Sequence, residues 1–292
     1  MKIIVILFFS MLLALPTYGQ NRETDYLSHV LEKMNAVESV TYHCVKKAWE
    51  PGDKEPVYSV PTEIYEHVNP QDTAVGYSFL CASDKEFRQP LWVYDGTVFA
   101  YIEKEEKEVR IDDFTQKSPL PFRVIMPQAF GCMKSILEYV LNTQDSIVLS
   151  LKDEGKDYLM ELSIHTPYQV EFFGKACYMP QNPYIYDPTS IYKIWISKEN
   201  DMPYRYRREM QHSISEGICS DFVYNPYGKG KIVAEDYYPA DYVRRIKGEK
   251  SQKATVDMTG KKAPDWTLTD MKGQQVSLSG IKSKVILLQF TG

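Results

Sequence analysis

Leu91-Trp92-Val93-Tyr94-Asp95-Gly96-Thr97-Val98-Phe99-Ala100-Tyr101 is the stretch that decides how this chain is read. Two apolar runs, rich in aromatic and β-branched residues, flank an Asp-Gly pair. Asp-Gly between such runs predicts a hairpin, since both central residues of a two-residue turn take positive φ. Working outward, Ser39 to Trp49 alternates loosely, and Ile64 to Val68 and Ala74 to Cys81 read as two more strands. Glu103 to Glu108 mixes Glu with Lys and predicts a solvated hairpin, after which Val109 and Ile111 resume the strand pattern.

Ser146 to Lys152 and Tyr158 to His165 continue the series, with Gly155 in the turn between them. Residues 178–190 are rich in proline and tyrosine and predict a long loop. Ser190 to Ser197 sets Tyr192, Ile194 and Ile196 against Lys193 and Trp195. Lys198 to Pro203 turns the chain, and Tyr204 to Met210 and Ile218 to Tyr224 close the strand series. Two segments have a helical period instead. Residues 23–37 place Tyr26, Val30, Leu31 and Met34 on one side, and Met133 to Leu141 does the same with Ile136, Leu137, Val140 and Leu141. Residues 22–245 are therefore expected to form an α+β domain: a curved antiparallel sheet with a leading helix and an inserted helix.

The 292 residues carry a net charge of -5, which argues against a nucleic-acid backbone as partner. Hydrophobic residues make up 43%, enough for a globular core, and 22 tyrosines with 12 phenylalanines suit a pleated face. Met1-Lys2 followed by the apolar run Ile3 to Leu15, Pro16 and the small residues around Gly19 predicts a signal peptide over residues 1–19. The run is short for a membrane span. The expected location is periplasmic or secreted, with no span left after cleavage; an uncleaved anchor is the alternative. No cysteine stands near the cut, so a lipid anchor is not expected.

Cys44, Cys81, Cys132, Cys177 and Cys219 are far apart, with no Cys-x-x-Cys pair. An oxidising compartment permits disulfides, and small buried hydrophobes are the other reading. The odd number leaves at least one thiol without an intrachain partner.

Arg244 to Lys253 is polar and basic and predicts a linker, placed at residues 246–256 between domains. Beyond it come Gly260-x-x-Ala263-Pro264-Asp265-Trp266-x-Leu268, the Lys272-Gly273 turn, Val276-x-Leu278 and the apolar run Val285-Ile286-Leu287-Leu288-x-Phe290. In order and spacing, residues 260–291 resemble the opening of a thioredoxin-like domain of the TlpA/ResA thiol-disulfide oxidoreductases; AhpC/TSA peroxiredoxins open similarly. The resemblance implies an exported disulfide oxidoreductase acting on a protein thiol or disulfide partner. Residues 257–292 would be the first strands of its catalytic domain, cut before the Cys-x-x-Cys that a helix N-terminus activates. It assigns no catalytic residue to this chain, no cofactor and no metal, and predicts no disulfide-reductase activity for these 292 residues. A fragment and a truncated gene both fit.

Residues 22–245 resemble the LolA/LppX-type periplasmic fold. The leading helix, the Tyr94-Asp95-Gly96-Thr97 hairpin, and Ile194-Trp195-Ile196-Ser197 followed by Met202-Pro203-Tyr204-Arg205 carry the resemblance. It implies a strongly curved sheet with helices on its concave side. That concavity either holds an apolar ligand such as an acyl chain, in a non-enzymatic binding protein, or is filled by its own side chains. The ligand-binding residues stay unassigned at this level.

His43 and Cys44 are adjacent and point to opposite faces of a strand. His29, His67, His165 and His212 lack metal-ligand spacing. Tyr204-Arg205-Tyr206-Arg207-Arg208 reads either as an anion or sugar site or as one core face and one charged sheet face.

Overall fold

The computed structural model describes residues 18–115, 122–249, 260–283 and 285–286. The apolar centre of the leader, Ile3 to Leu15, lies outside them, as does most of the closing apolar run. The described residues cluster into two compact units, one up to Gly248 and one from Glu249.

The first unit begins with helix α1 (Tyr18–Asn35). Six strands follow: β1 (Ser39–Trp49), β2 (Tyr58–Val68), β3 (Tyr77–Ala82), β4 (Pro90–Tyr94), β5 (Val98–Glu103) and β6 (Glu108–Asp113). Helix α2 (Ala129–Asn142) separates them from β7 (Ile147–Asp153), β8 (Asp157–Ile164) and the short pair β9 (Val170–Phe172) and β10 (Ala176–Tyr178). Strands β11 (Ser190–Ser197), β12 (Met202–Met210), β13 (Ser213–Tyr224) and β14 (Val243–Ile246) complete the unit. Twelve of these strands form one sheet in the order β14-β6-β5-β4-β3-β2-β1-β13-β12-β11-β8-β7. Neighbours are antiparallel except β14, which runs parallel to β6. The sheet is large and curved.

Strand alternation sends one set of side chains toward the helices. Tyr42 and Cys44 of β1, Ile64 of β2, Phe79 and Cys81 of β3, and Ile194 and Ile196 of β11 all join that core. Leu27, Val30 and Met34 of α1 are fully buried against it, each contributing roughly 2 kcal/mol of apolar burial. Helix α2 is buried nearly all round, including Phe130, Met133, Ile136 and Leu137. The other face of β2–β6 carries Tyr65, Leu80, Val93, Ala100, Ile102 and Val109, and the return segment through Ile232 and Ala234 covers it. All six residues of β3 are consequently buried, and apart from Ser78 its sequence is an apolar run without alternation.

Several local expectations change. At the Asp95-Gly96 hairpin only Gly96 has positive φ, at 99°. The turn is longer than two residues because the Asp95 carboxylate accepts bonds from the Thr97 and Val98 amides at 2.8 and 2.9 Å. The polar stretch that begins at Arg244 opens inside an edge strand, Val243–Ile246, whose backbone pairs with β6 and whose exposed Arg244 and Arg245 make it read as polar. The β9–β10 pair, centred on Gly174, has too few residues to show a period.

The expected fold class, an N-terminal domain followed by the first strands of a thioredoxin-like domain, is overturned: the structure is mostly the large sheet and its two helices. From Glu249 on, the described residues form one small hairpin, β15 (Thr267–Thr269) with β16 (Gln275–Ser277), and none of them is buried. Asp265 ties the segment locally by accepting from the Ser279 amide and hydroxyl at 2.9 and 2.7 Å. Val285 and Ile286 have no strand assignment and are exposed.

Candidate functional site

The helix-facing side of the sheet is filled under α1 and α2 and open beside them. Along β1 the inward positions run Tyr42, Cys44, Lys46, so the alternation that buries a tyrosine and a thiol also turns a lysine inward. Lys46 borders a cleft of ≈ 290 Å³ whose walls include Phe79, Trp92, Phe99, Phe114 and Ile125. The Lys46 amine lies 5.0 Å from the centre of the Trp92 ring and donates to Oε1 of Gln128, the residue just before α2.

The rings are set by strand pairing. Trp92 of β4 opposes Tyr101 of β5 and stacks on it at 6.3 Å, while Phe99 meets Phe79 edge-on at 6.4 Å. A second apolar groove of ≈ 340 Å³ lies over β5, β6 and β14, and Phe99 and Asp112 line both spaces. The basic residues of this outer groove have acidic partners: Arg110 with Glu103 at 3.3 Å, Arg245 with Glu108 at 2.5 Å, and Lys247 with Asp112 at 2.5 Å. Among the described residues, Lys46 has no ion-pair partner.

Deeper in the same core, Glu66 of β2 is 1 % exposed. It accepts from the Tyr42 hydroxyl at 2.7 Å and from the Phe130 amide at 3.1 Å. Burial pushes its pKa up to about 7, while the Tyr42 hydroxyl and the first amides of α2 pull the other way. Glu66 thereby caps α2, whose own preceding residue, Gln128, makes no side-chain cap.

All five cysteines are buried and free. Cys44 and Cys219 are directly opposite on β1 and β13. The hydrogen bond from Cys219 holds the Cys44 thiol below its ordinary value, and burial drives Cys219 well above. Burial likewise pushes Cys81 and Cys132 up to about 12. Reactive thiols need exposure and a lowered pKa together, and none of these has both.

Several of the other sequence candidates have local partners. His43 meets Glu63 at 2.8 Å, on the face opposite Cys44. His29 lies 3.5 Å from Asp201, and His212 sits 3.3 Å from Gln169. Among the described residues no group of three His, Cys, Asp or Glu side chains could hold a metal ion. On β12, Arg205 pairs with Glu216, Arg207 with Glu209, and Arg208 with Glu171, at 2.5, 2.6 and 2.6 Å. Tyr206 packs inward over Gly217, and Arg208, two residues on, shares that core-facing side with its buried partner Glu171, while Arg205 and Arg207 pair on the other face. The cleft residues were not singled out from sequence. The available clue was Lys46 at an inward position of an alternating strand.

No family model matches the chain, and no curated protein does. Among solved structures, the lipoprotein LppX of Mycobacterium tuberculosis matches 73% of this chain and 100% of its own, at 8% identity and a TM-score of 0.37. LprF of Mycobacterium bovis matches 72% and 98% of the two chains, at 11% identity and 0.35. A LolA superfamily protein of Nitrosomonas europaea matches 74% and 99%, at 10% identity and 0.26. Scores this low carry nothing about what this chain binds. These neighbours are of the LppX/LolA kind, and nothing found supports the TlpA/ResA resemblance. The oxidoreductase reading, with its thiol-disulfide partner, is withdrawn on that finding.

Proposed function

We propose that this protein is a non-enzymatic carrier that holds an apolar ligand in the aromatic cleft between β1, β3–β5 and the start of α2. The observation that carries the reading is the ≈ 290 Å³ cleft itself, walled by Phe79, Trp92, Phe99 and Phe114 and sharing Phe99 and Asp112 with a second apolar groove. Ligand sites are concave, mostly apolar and furnished with a few placed polar groups. This cleft has that composition, with Lys46, Gln128 and Asp112 as the polar groups. The leader over residues 1–19 supports an exported protein, and no described helix is long and apolar enough to cross a membrane.

Titration of the full-length protein with the neutral fluorophore N-phenyl-1-naphthylamine tests the reading. Saturable binding is expected, weakened at least about fivefold by Phe114→Asn, as loss of roughly 1 kcal/mol of aromatic contact implies. Tyr227→Ala, at a fully exposed site, is expected to leave binding unchanged. Absence of saturable binding, or equal affinity in Phe114→Asn, overturns the proposal.

A further inference from the structure

We propose that the cleft selects single-chain amphiphiles with an anionic head, a carboxylate or a phosphate, seated on the Lys46 amine. This rests on the apolar-ligand reading above and adds the class of ligand.

The argument starts from charge. A half-buried basic group without a counter-charge is costly to hold. Every basic residue of the neighbouring groove has its own carboxylate: Arg110, Arg245 and Lys247 each lie within 3.3 Å of Glu or Asp. Arg123, beside Phe114, is held by Asp72 at 3.3 Å and the Tyr94 hydroxyl at 2.7 Å. Asp112 reaches the cleft wall, but it is taken by Lys247. Lys46 differs from all of these. Among the described residues it donates only to the neutral Gln128 amide and rests over the Trp92 ring.

Geometry completes the case. Gln128 and Trp92 hold the amine at the cleft wall, which Phe99 and Phe114 also line. A ligand placing an anion on Lys46 therefore lays its chain on those rings. A carboxylate or phosphate satisfies an ammonium donor better than a hydroxyl does, because it adds the Coulomb attraction of an opposite charge to the hydrogen bond in a partly desolvated site.

The test is displacement of N-phenyl-1-naphthylamine from the full-length protein by decanoate, decyl phosphate and decanol. At least one anion is expected to displace the probe at a concentration about tenfold or more below that for decanol, as a charge-assisted bond implies. The tighter of the two identifies the head. Lys46→Met is expected to abolish the preference while still binding the probe, and Lys46→Arg to retain it. Decanol displacing as well as both anions overturns the anionic-head inference and leaves the apolar-ligand reading standing. Failure of the wild-type protein to bind the probe or any of the three chains overturns both. Unchanged preference in a folded Lys46→Met protein also overturns the assignment to Lys46.

Discussion

The Tyr42 hydroxyl of β1 donates a 2.7 Å hydrogen bond to Oε2 of Glu66 on β2, with both side chains sealed beneath α2. The pair joins the two central strands to the first turn of the helix, since the Phe130 amide bonds the same oxygen. Glu66 is raised by burial from 4.5 to about 7, so the folded state holds its proton more tightly than the unfolded chain. The stability it contributes is fully present below about pH 4.5 and is lost as pH rises through about 7, roughly 3 kcal/mol in all. Glu66→Gln removes this titration. Melting temperatures from pH 5 to 8 are expected to fall more steeply in the wild type than in Glu66→Gln; parallel curves contradict the assignment.

Arg208 and Glu171 form an ion pair at 2.6 Å with side chains 13% and 9% exposed. Removing one member leaves a largely buried charge alone. Glu171→Ala is expected to cost about 3–5 kcal/mol in urea unfolding. The double variant Glu171→Ala/Arg208→Met is expected to recover part of that loss, and a double variant less stable than Glu171→Ala refutes the account.

Gly174 has φ +81°, and a Cβ there would lie 1.9 Å from the Val75 carbonyl oxygen. Gly155 has φ +78° and open space around it. Gly155→Ala is expected to cost about 1–2 kcal/mol from left-handed backbone strain alone. Gly174→Ala adds a backbone collision and is expected to cost clearly more. Equal losses on thermal unfolding refute the close approach.

Burial of all five thiols predicts that a thiol reagent titrates fewer than one cysteine in the native protein and five after denaturation. Fast native labelling, especially of Cys81 or Cys132, contradicts the burial that raises both to about 12.

Much of the local structure was legible because strand alternation is written residue by residue. Ser39–Trp49 and Ser190–Ser197 have the same limits in sequence and structure. Residues 260–291, by contrast, misled, since a short run of motif residues resembles many openings when no packing constrains it. The cleft was hidden for another reason. Lys46, Trp92, Phe99 and Phe114 come from four segments, and their proximity exists only once β1–β6 pair.

The sequence by itself determined the periods: which segments alternate, which repeat at helical spacing, and which side chains share a face. Those follow from local backbone geometry. Tertiary structure alone decided where α2 begins and what Lys46 faces. Gln128 makes no side-chain cap, and Glu66, distant in the chain, supplies one across the core. Among the described residues Lys46 lacks an acidic partner, because the carboxylates near the cleft, Asp72 and Asp112, are taken by Arg123 and Lys247. Both outcomes depend on which groups meet through space, and strand periodicity does not encode those meetings.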